Sequence, residues 1–149
     1  AQTSAKAEII LVEDREEDIA FTQSILKKAN VFNKVHVLRK GSELMDFLAR
    51  QGPFASEPGH AANVLILLSL ALSDINAVDL LRKLKLDERT KSLPVVILTP
   101  SQQARGVMDC YKLGANACIL KPMDLSKFVE AVSESRLGWL LVTGGEDKL

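Results

Sequence analysis

The sequence predicts an α/β fold, a doubly wound (βα)5 arrangement in which a five-stranded parallel sheet carries helices on both faces. Three observations lead there. Five short apolar runs, at residues 7–12, 34–38, 64–68, 95–98 and 117–120, are each followed by a stretch of helical character. The third run, Val64 to Leu68, is apolar throughout, as expected of a strand buried on both faces in the middle of a parallel sheet. Four of the five runs end in a polar or charged side chain: Glu13 and Asp14, Ser69, Thr99 and Lys121.

Each element follows from its local pattern. Residues 1–6 are expected to form a flexible tail before the first strand, AEIILV. A helix from about Glu16 to Ala29 has an apolar stripe of Ile19, Phe21, Ile25, Leu26 and Ala29. Acids in its first turn and Lys27 and Lys28 in its last suit the helix dipole. Lys34 to Leu38 alternates and reads as a shorter strand. Ser42 is a candidate N-cap for a helix to Ala49, with Leu44, Phe47 and Leu48 inward. Residues 51–62 hold two glycines and two prolines and read as a loop.

After the central strand, Ser73 and Asp74 offer cap chemistry for a helix from about Ala77 to Lys85, with Val78, Leu81 and Leu84 inward. Asp87 to Leu93 is a polar connection ending at Pro94. VVIL then leads to Thr99. A helix over Gln102 to Leu113 is stopped by Gly114. Ala117 to Leu120 ends at Lys121-Pro122, and Asp124 or Ser126 starts a last helix reaching at least Leu137. The domain is expected over 7–137, with 138–149 an apolar C-terminal extension and tail.

Composition narrows the function. The 149 residues suit one domain that buries about 70% of its unfolded surface. Lys plus Arg and Asp plus Glu are 19 each, so no bulk positive charge is available for nucleic acid. Seven aromatics (Phe 5, Trp 1, Tyr 1) are too few for a base-stacking surface. Cys110 and Cys118 lack metal-ligand or CxxC spacing and read as reduced thiols. No apolar run approaches the roughly 20 residues of a membrane span, and the polar start AQTSAKA lacks the hydrophobic segment of a signal peptide. A soluble, cytoplasmic protein is expected.

The strand ends carry the chemistry. In open α/β sheets ligands bind in the crevice beyond the carboxyl ends of the strands. Two carboxylates (Glu13, Asp14), two hydroxyls (Ser69, Thr99) and one ammonium (Lys121) would converge there. Paired carboxylates suit a hard cation such as Mg²⁺, and a lysine opposite a hydroxyl suits a phosphoryl group.

ILVEDREED, LILLSLALSD, VVILT and LGANACILKP together resemble the receiver domain of two-component response regulators, over roughly residues 7–137. The tail and the loop before the third strand are most similar to small stand-alone regulators associated with phytochrome-type histidine kinases. The resemblance implies the flavodoxin-like strand order 2-1-3-4-5. It implies a metal site at Glu13, Asp14 and the backbone of Ala71, and a phosphate pocket at Thr99 and Lys121. It implies a sensor histidine kinase as partner, and no enzyme activity.

Two positions depart from the family. Ser69 stands where the phospho-accepting aspartate is expected, and Cys118 replaces the aromatic switch residue. A serine needs a base to become a nucleophile. Neither His36 nor His60 is placed beside Ser69 by sequence, and no GxSxG elbow is present, which speaks against a Ser69-dependent hydrolase. Glu13, Asp14 and Lys121 sum to −1 where the family pocket carries about −2, so weakened Mg²⁺ binding and a more stable unliganded fold are expected. The leading expectation is a degenerate receiver that signals by protein binding without aspartyl phosphorylation. The alternatives are modification at Ser69, Asp74 or Asp79, or an engineered serine, which the simultaneous change at Cys118 disfavours. No effector domain is expected after the receiver, so output is expected to pass through another protein or a homodimer, with its interface at Leu137, Trp139, Leu140 and Leu141.

Overall fold

A computed structural model describes residues 8–29, 31, 33–50, 64–100, 106–121 and 124–134. The strands are β1 (Glu8–Val12), β2 (Val35–Leu38), β3 (Val64–Ser69), β4 (Val95–Thr99) and β5 (Ala117–Leu120). The helices are α1 (Glu16–Lys28), α2 (Leu44–Arg50, after a 3₁₀ turn Gly41–Glu43), α3 (Ala77–Leu86), α4 (Val107–Lys112) and α5 (Leu125–Glu134). All pairings are parallel, in the order β2-β1-β3-β4-β5. Each apolar run of the sequence is a strand, and the flavodoxin-like order is the observed one.

β3 is central, and all six of its residues are buried. Its pleat sends alternate side chains into two cores. Leu65 and Leu67 join Ile9, Leu11, Val96 and Leu98 against Ile19, Ile25 and Leu26 of α1 and Phe128 of α5. Val64, Ile66 and Leu68 join Ile10, Val12, Val95 and Ile97 against Leu44 and Leu48 of α2, Leu80, Leu81 and Leu84 of α3 and Cys110 of α4. A continuous apolar run suits this strand because neither face meets water. The order reverses at β1: the chain leaves to β2 on one side and returns to β3 on the other. The crevice between the carboxyl ends of β1 and β3 is therefore the ligand position for such a sheet.

Several local expectations are corrected. Phe21 is 40% exposed, whereas Thr22 is buried with Ile19, Ile25 and Leu26. At about 100° per residue, position 22 shares the face of 19, 25 and 26, and position 21 lies nearly opposite 19. Ser42 does not cap α2; the Asp74 carboxylate reaches across and accepts from the amides of Gly41 (3.0 Å) and Ser42 (3.1 Å). The cap of α3 is Asn76, whose side chain accepts from Val78 N and Asp79 N, so Ser73 and Asp74 are free for other work. Gly106, at φ 101°, immediately precedes α4, which starts at Val107; residues 102–105 of the expected helix lie outside the described residues. Gly114 ends α4 in the left-handed region, as expected. The loop at 51–62, Pro122 and the segment from 135 to the end, with Leu137, Trp139, Leu140, Leu141 and Val142, lie outside the described residues.

Candidate functional site

The four strand ends bring their side chains to one crevice, and the ammonium of Lys121 stands at its centre. Its Nζ donates to Glu13 Oε1 (2.7 Å), Ser69 Oγ (3.0 Å) and Asp18 Oδ2 (3.2 Å). An ammonium has three N–H bonds, and three acceptors surround it. Glu13 is fully buried and the Lys121 side chain is 10% exposed, so this is an ion pair withdrawn from water. Backbone geometry aims the lysine: Lys121 N donates to Thr99 O at 2.7 Å, continuing the β4–β5 ladder one residue past β5.

Ser69 ends β3 with no exposed surface. Its Oγ accepts from Ala71 N (3.2 Å) and from Lys121 Nζ. Both contacts come from groups that only donate, so neither can take the hydroxyl proton. Among the described residues the one histidine is His36, in β2. Its Nε2 lies 2.8 Å from Glu8 Oε1 and its ring packs on Phe47, remote from the carboxyl end of β3. His60 lies outside the described residues.

Asp14 is engaged elsewhere. Its Oδ2 accepts from Ser73 Oγ (2.6 Å) and Ser73 N (2.9 Å), tying the β1–α1 loop to the β3–α3 loop. Those hydrogen bonds, the hydroxyl's first, hold its carboxyl below the ordinary value of 3.8, against a smaller opposing effect of burial. Glu13 and Asp14 thus reach the crevice as the sequence reading required, but each carries a protein partner. Among the described residues no group of three or more acidic, histidine or cysteine side chains forms a set able to hold a metal ion. As arranged, these groups do not make a seat for Mg²⁺, which needs near-octahedral oxygen ligands. An ion taking Glu13 would have to displace the Lys121 ammonium.

Asp18 is the site residue that sequence reasoning missed. It reads as an ordinary first-turn acid, yet it bonds Lys121 and lies 3.4 Å from Arg15 Nε. The available signal was acid density: residues 13–18 hold five acids, more than a helix start requires. Glu13, Asp14 and Asp18 against Lys121 sum to −2, not the −1 reckoned without Asp18.

Thr99 is buried at the end of β4, beside Lys121 in the ladder. Cys118 is half-buried in β5, and its amide donates to the Tyr111 hydroxyl of α4 at 3.1 Å. Burial pushes the Cys118 thiol up against a smaller opposing hydrogen bond from Tyr111. Burial, reinforced by Cys118 and Asp109, takes Cys110 up to about 11. Both thiols stay protonated and unreactive at neutral pH. The candidate acceptors after Ser69 have structural partners: Asp74 the Gly41 and Ser42 amides, Asp79 the Arg82 guanidinium (2.8 Å). Around β5, at the edge of the sheet, Met108 (70%), Leu120 (36%) and Val129 (53%) are exposed apolar side chains. None of these three stood out in the sequence. No helix among the described residues is long and apolar enough to cross a membrane.

Comparison with known proteins agrees with this geometry. Response regulator Rcp1 of Synechocystis sp. is 32% identical over 132 residues, covering 89% of this chain and 88% of its own. The Mn²⁺-bound form of Rcp1 superposes with a TM-score of 0.67 at 31% identity, over 90% of this chain and 94% of that one. The bacteriophytochrome response regulators AtBRR and RtBRR give TM-scores of 0.78 and 0.76 at 30% and 34% identity. They cover 96% and 97% of this chain, and 100% and 83% of their own. The response regulator receiver domain model matches residues 9–133. An acid-rich β1 end, a hydroxyl at β4 and a lysine at β5 on a 2-1-3-4-5 sheet therefore have one source: the chain belongs to the response regulator receiver domain family.

Proposed function

We propose that this receiver signals by binding other proteins, without an aspartyl phosphate. It is a response regulator related to phytochrome response regulators. The observation that carries the reading is Ser69: the β3 end presents a buried hydroxyl that accepts two hydrogen bonds and has no base bonded to it among the described residues. A carboxylate attacks phosphohistidine as it stands, whereas this serine does not.

The partner is a sensor histidine kinase of phytochrome type, in keeping with the relatives' names. The receiver docks on it or acts as its decoy. The apolar side chains Met108, Leu120 and Val129 beside the β5 edge support a protein-binding surface. A homodimer interface at Leu137, Trp139, Leu140 and Leu141, which lie outside the described residues, is part of this reading. Neutral net charge and few aromatics argue against nucleic acid as a partner. The protein is placed in the cytoplasm with its kinase, and its action is regulatory, not enzymatic. Any Mg²⁺ binding, by Glu13, Asp14 and the Ala71 carbonyl, is weak.

The test is phosphotransfer from a phosphorylated phytochrome-type kinase to the wild type and to Ser69→Asp. The reading expects kinase association by both proteins and label only on Ser69→Asp. Stoichiometric label on the wild type overturns it. Sedimentation at tens of micromolar tests the dimer, and monomer alone rejects that part.

A further inference from the structure

We infer that Lys121 is the resident cation of the pocket, its ammonium held by Glu13 and Asp18 in competition with divalent metal ions. The inference rests on the reading of Ser69 as a neutral group in the pocket, but not on any claim about kinases or phosphotransfer.

Three features support it. Every N–H of the Lys121 ammonium has an acceptor within 3.2 Å, and two of the three acceptors are carboxylates. The Glu13 partner has no exposed surface while the pair is formed, so the ion pair is withdrawn from water. Ser69 brings a dipole but no charge, and so does not draw the ammonium away from Glu13. A dication bound at Glu13 would sit within a few ångströms of the ammonium, and like charges at that range repel strongly in a partly dry pocket. The second acid, Asp14, is occupied independently by Ser73. A dication would have to break both arrangements.

Two variants relieve the competition from opposite sides. Lys121→Met removes the competing charge and leaves Glu13 and Asp18 without the ammonium between them, with Asp14 still held by Ser73. Ser69→Asp keeps Lys121 but supplies a carboxylate at the atom that already accepts from it, freeing Glu13. Each change should tighten divalent binding by about tenfold or more.

Mn²⁺ alone is the probe. Its binding is followed by loss of the free-ion electron paramagnetic resonance signal, with circular dichroism confirming that each protein is folded. The expected result is wild-type affinity weaker than about 1 mM and a tenfold gain in Lys121→Met. A wild type that binds Mn²⁺ as tightly as Lys121→Met overturns the inference. So does a folded Lys121→Met with wild-type affinity. Should Lys121→Met fail to fold, Lys121→Gln decides, because it removes the charge while its amide can still donate to Glu13: a tenfold gain supports the competition, and unchanged affinity overturns it. No kinase enters the experiment, so its failure is distinguishable from failure of the phosphotransfer reading.

Discussion

Breaking the Glu13–Lys121 pair should lower stability more than any surface change, and unequally from its two sides. The Nζ–Oε1 separation is 2.7 Å, with 10% of the lysine side chain and none of the glutamate exposed. At an effective dielectric near 20, two unit charges at that distance attract by about 6 kcal/mol. Desolvation of both ions offsets most of this, so the net worth of the intact pair is small. Removing one partner is different, because the other charge stays buried without compensation, at about 3–5 kcal/mol. Glu13→Gln should fall at or below the low end, about 2–3 kcal/mol, since the amide oxygen still accepts and Asp18 still holds the ammonium at 3.2 Å. Lys121→Met should reach the upper end, since Glu13 keeps one long contact, from Arg15 N at 3.4 Å. Urea unfolding of both single variants and the double variant measures this. The double variant should be less destabilised than the sum of the singles by about 1–3 kcal/mol. At roughly 3–4 °C per kcal/mol for a chain of this size, Lys121→Met should melt about 10–20 °C lower. A coupling below about 0.3 kcal/mol, or Glu13→Gln proving the worse single change, would refute the reasoning.

Three further outcomes follow from the same geometry. The Asp14 carboxyl is held below its ordinary 3.8, so its contribution is fully present above that value and is lost as pH falls through the lowered one. Asp14→Asn should therefore flatten the stability–pH curve below about pH 4 and leave its shape unchanged between pH 6 and 8. A Cβ on Gly41 would meet Ile75 Cγ2 at 2.5 Å and Leu72 Cδ1 at 2.8 Å, so Gly41→Ala should destabilise the fold by about 1–3 kcal/mol, read as a lower urea midpoint. With Cys110 buried and its thiol at about 11, and Cys118 also raised by burial, a thiol reagent at pH 8 should label the native protein slowly and the urea-unfolded protein at once. Fast native labelling of Cys110 would contradict its burial on the core-facing side of α4.

Much of the site is legible in the amino-acid order. Glu13, Ser69, Thr99 and Lys121 each follow a buried strand directly, and a parallel sheet delivers all strand ends to one edge. What each group does there is not legible in the same way. Asp14 and Asp18 have nearly the same local setting, both acids at the start of α1. Asp14 turns to Ser73, 59 residues on, while Asp18 turns to Lys121, 103 residues on. Asp74 reads as a cap for the helix that follows it and instead caps a turn 32 and 33 residues earlier.

By itself, the sequence determined the (βα)5 order, the strands and most helix bounds. These depend on periods of two and 3.6 residues and on turn chemistry, all local in the chain. It also placed a neutral hydroxyl, Ser69, at the end of β3. Only the tertiary structure decided that Asp74 caps the turn at Gly41 and Ser42 instead of its own helix. The tertiary structure likewise decided that one lysine is shared among Glu13, Asp18 and Ser69 across separations of 108, 103 and 52 residues. The physical reason is that a charged group withdrawn from water takes the best-placed opposite charge within about 3 Å, and that choice depends on where distant loops meet.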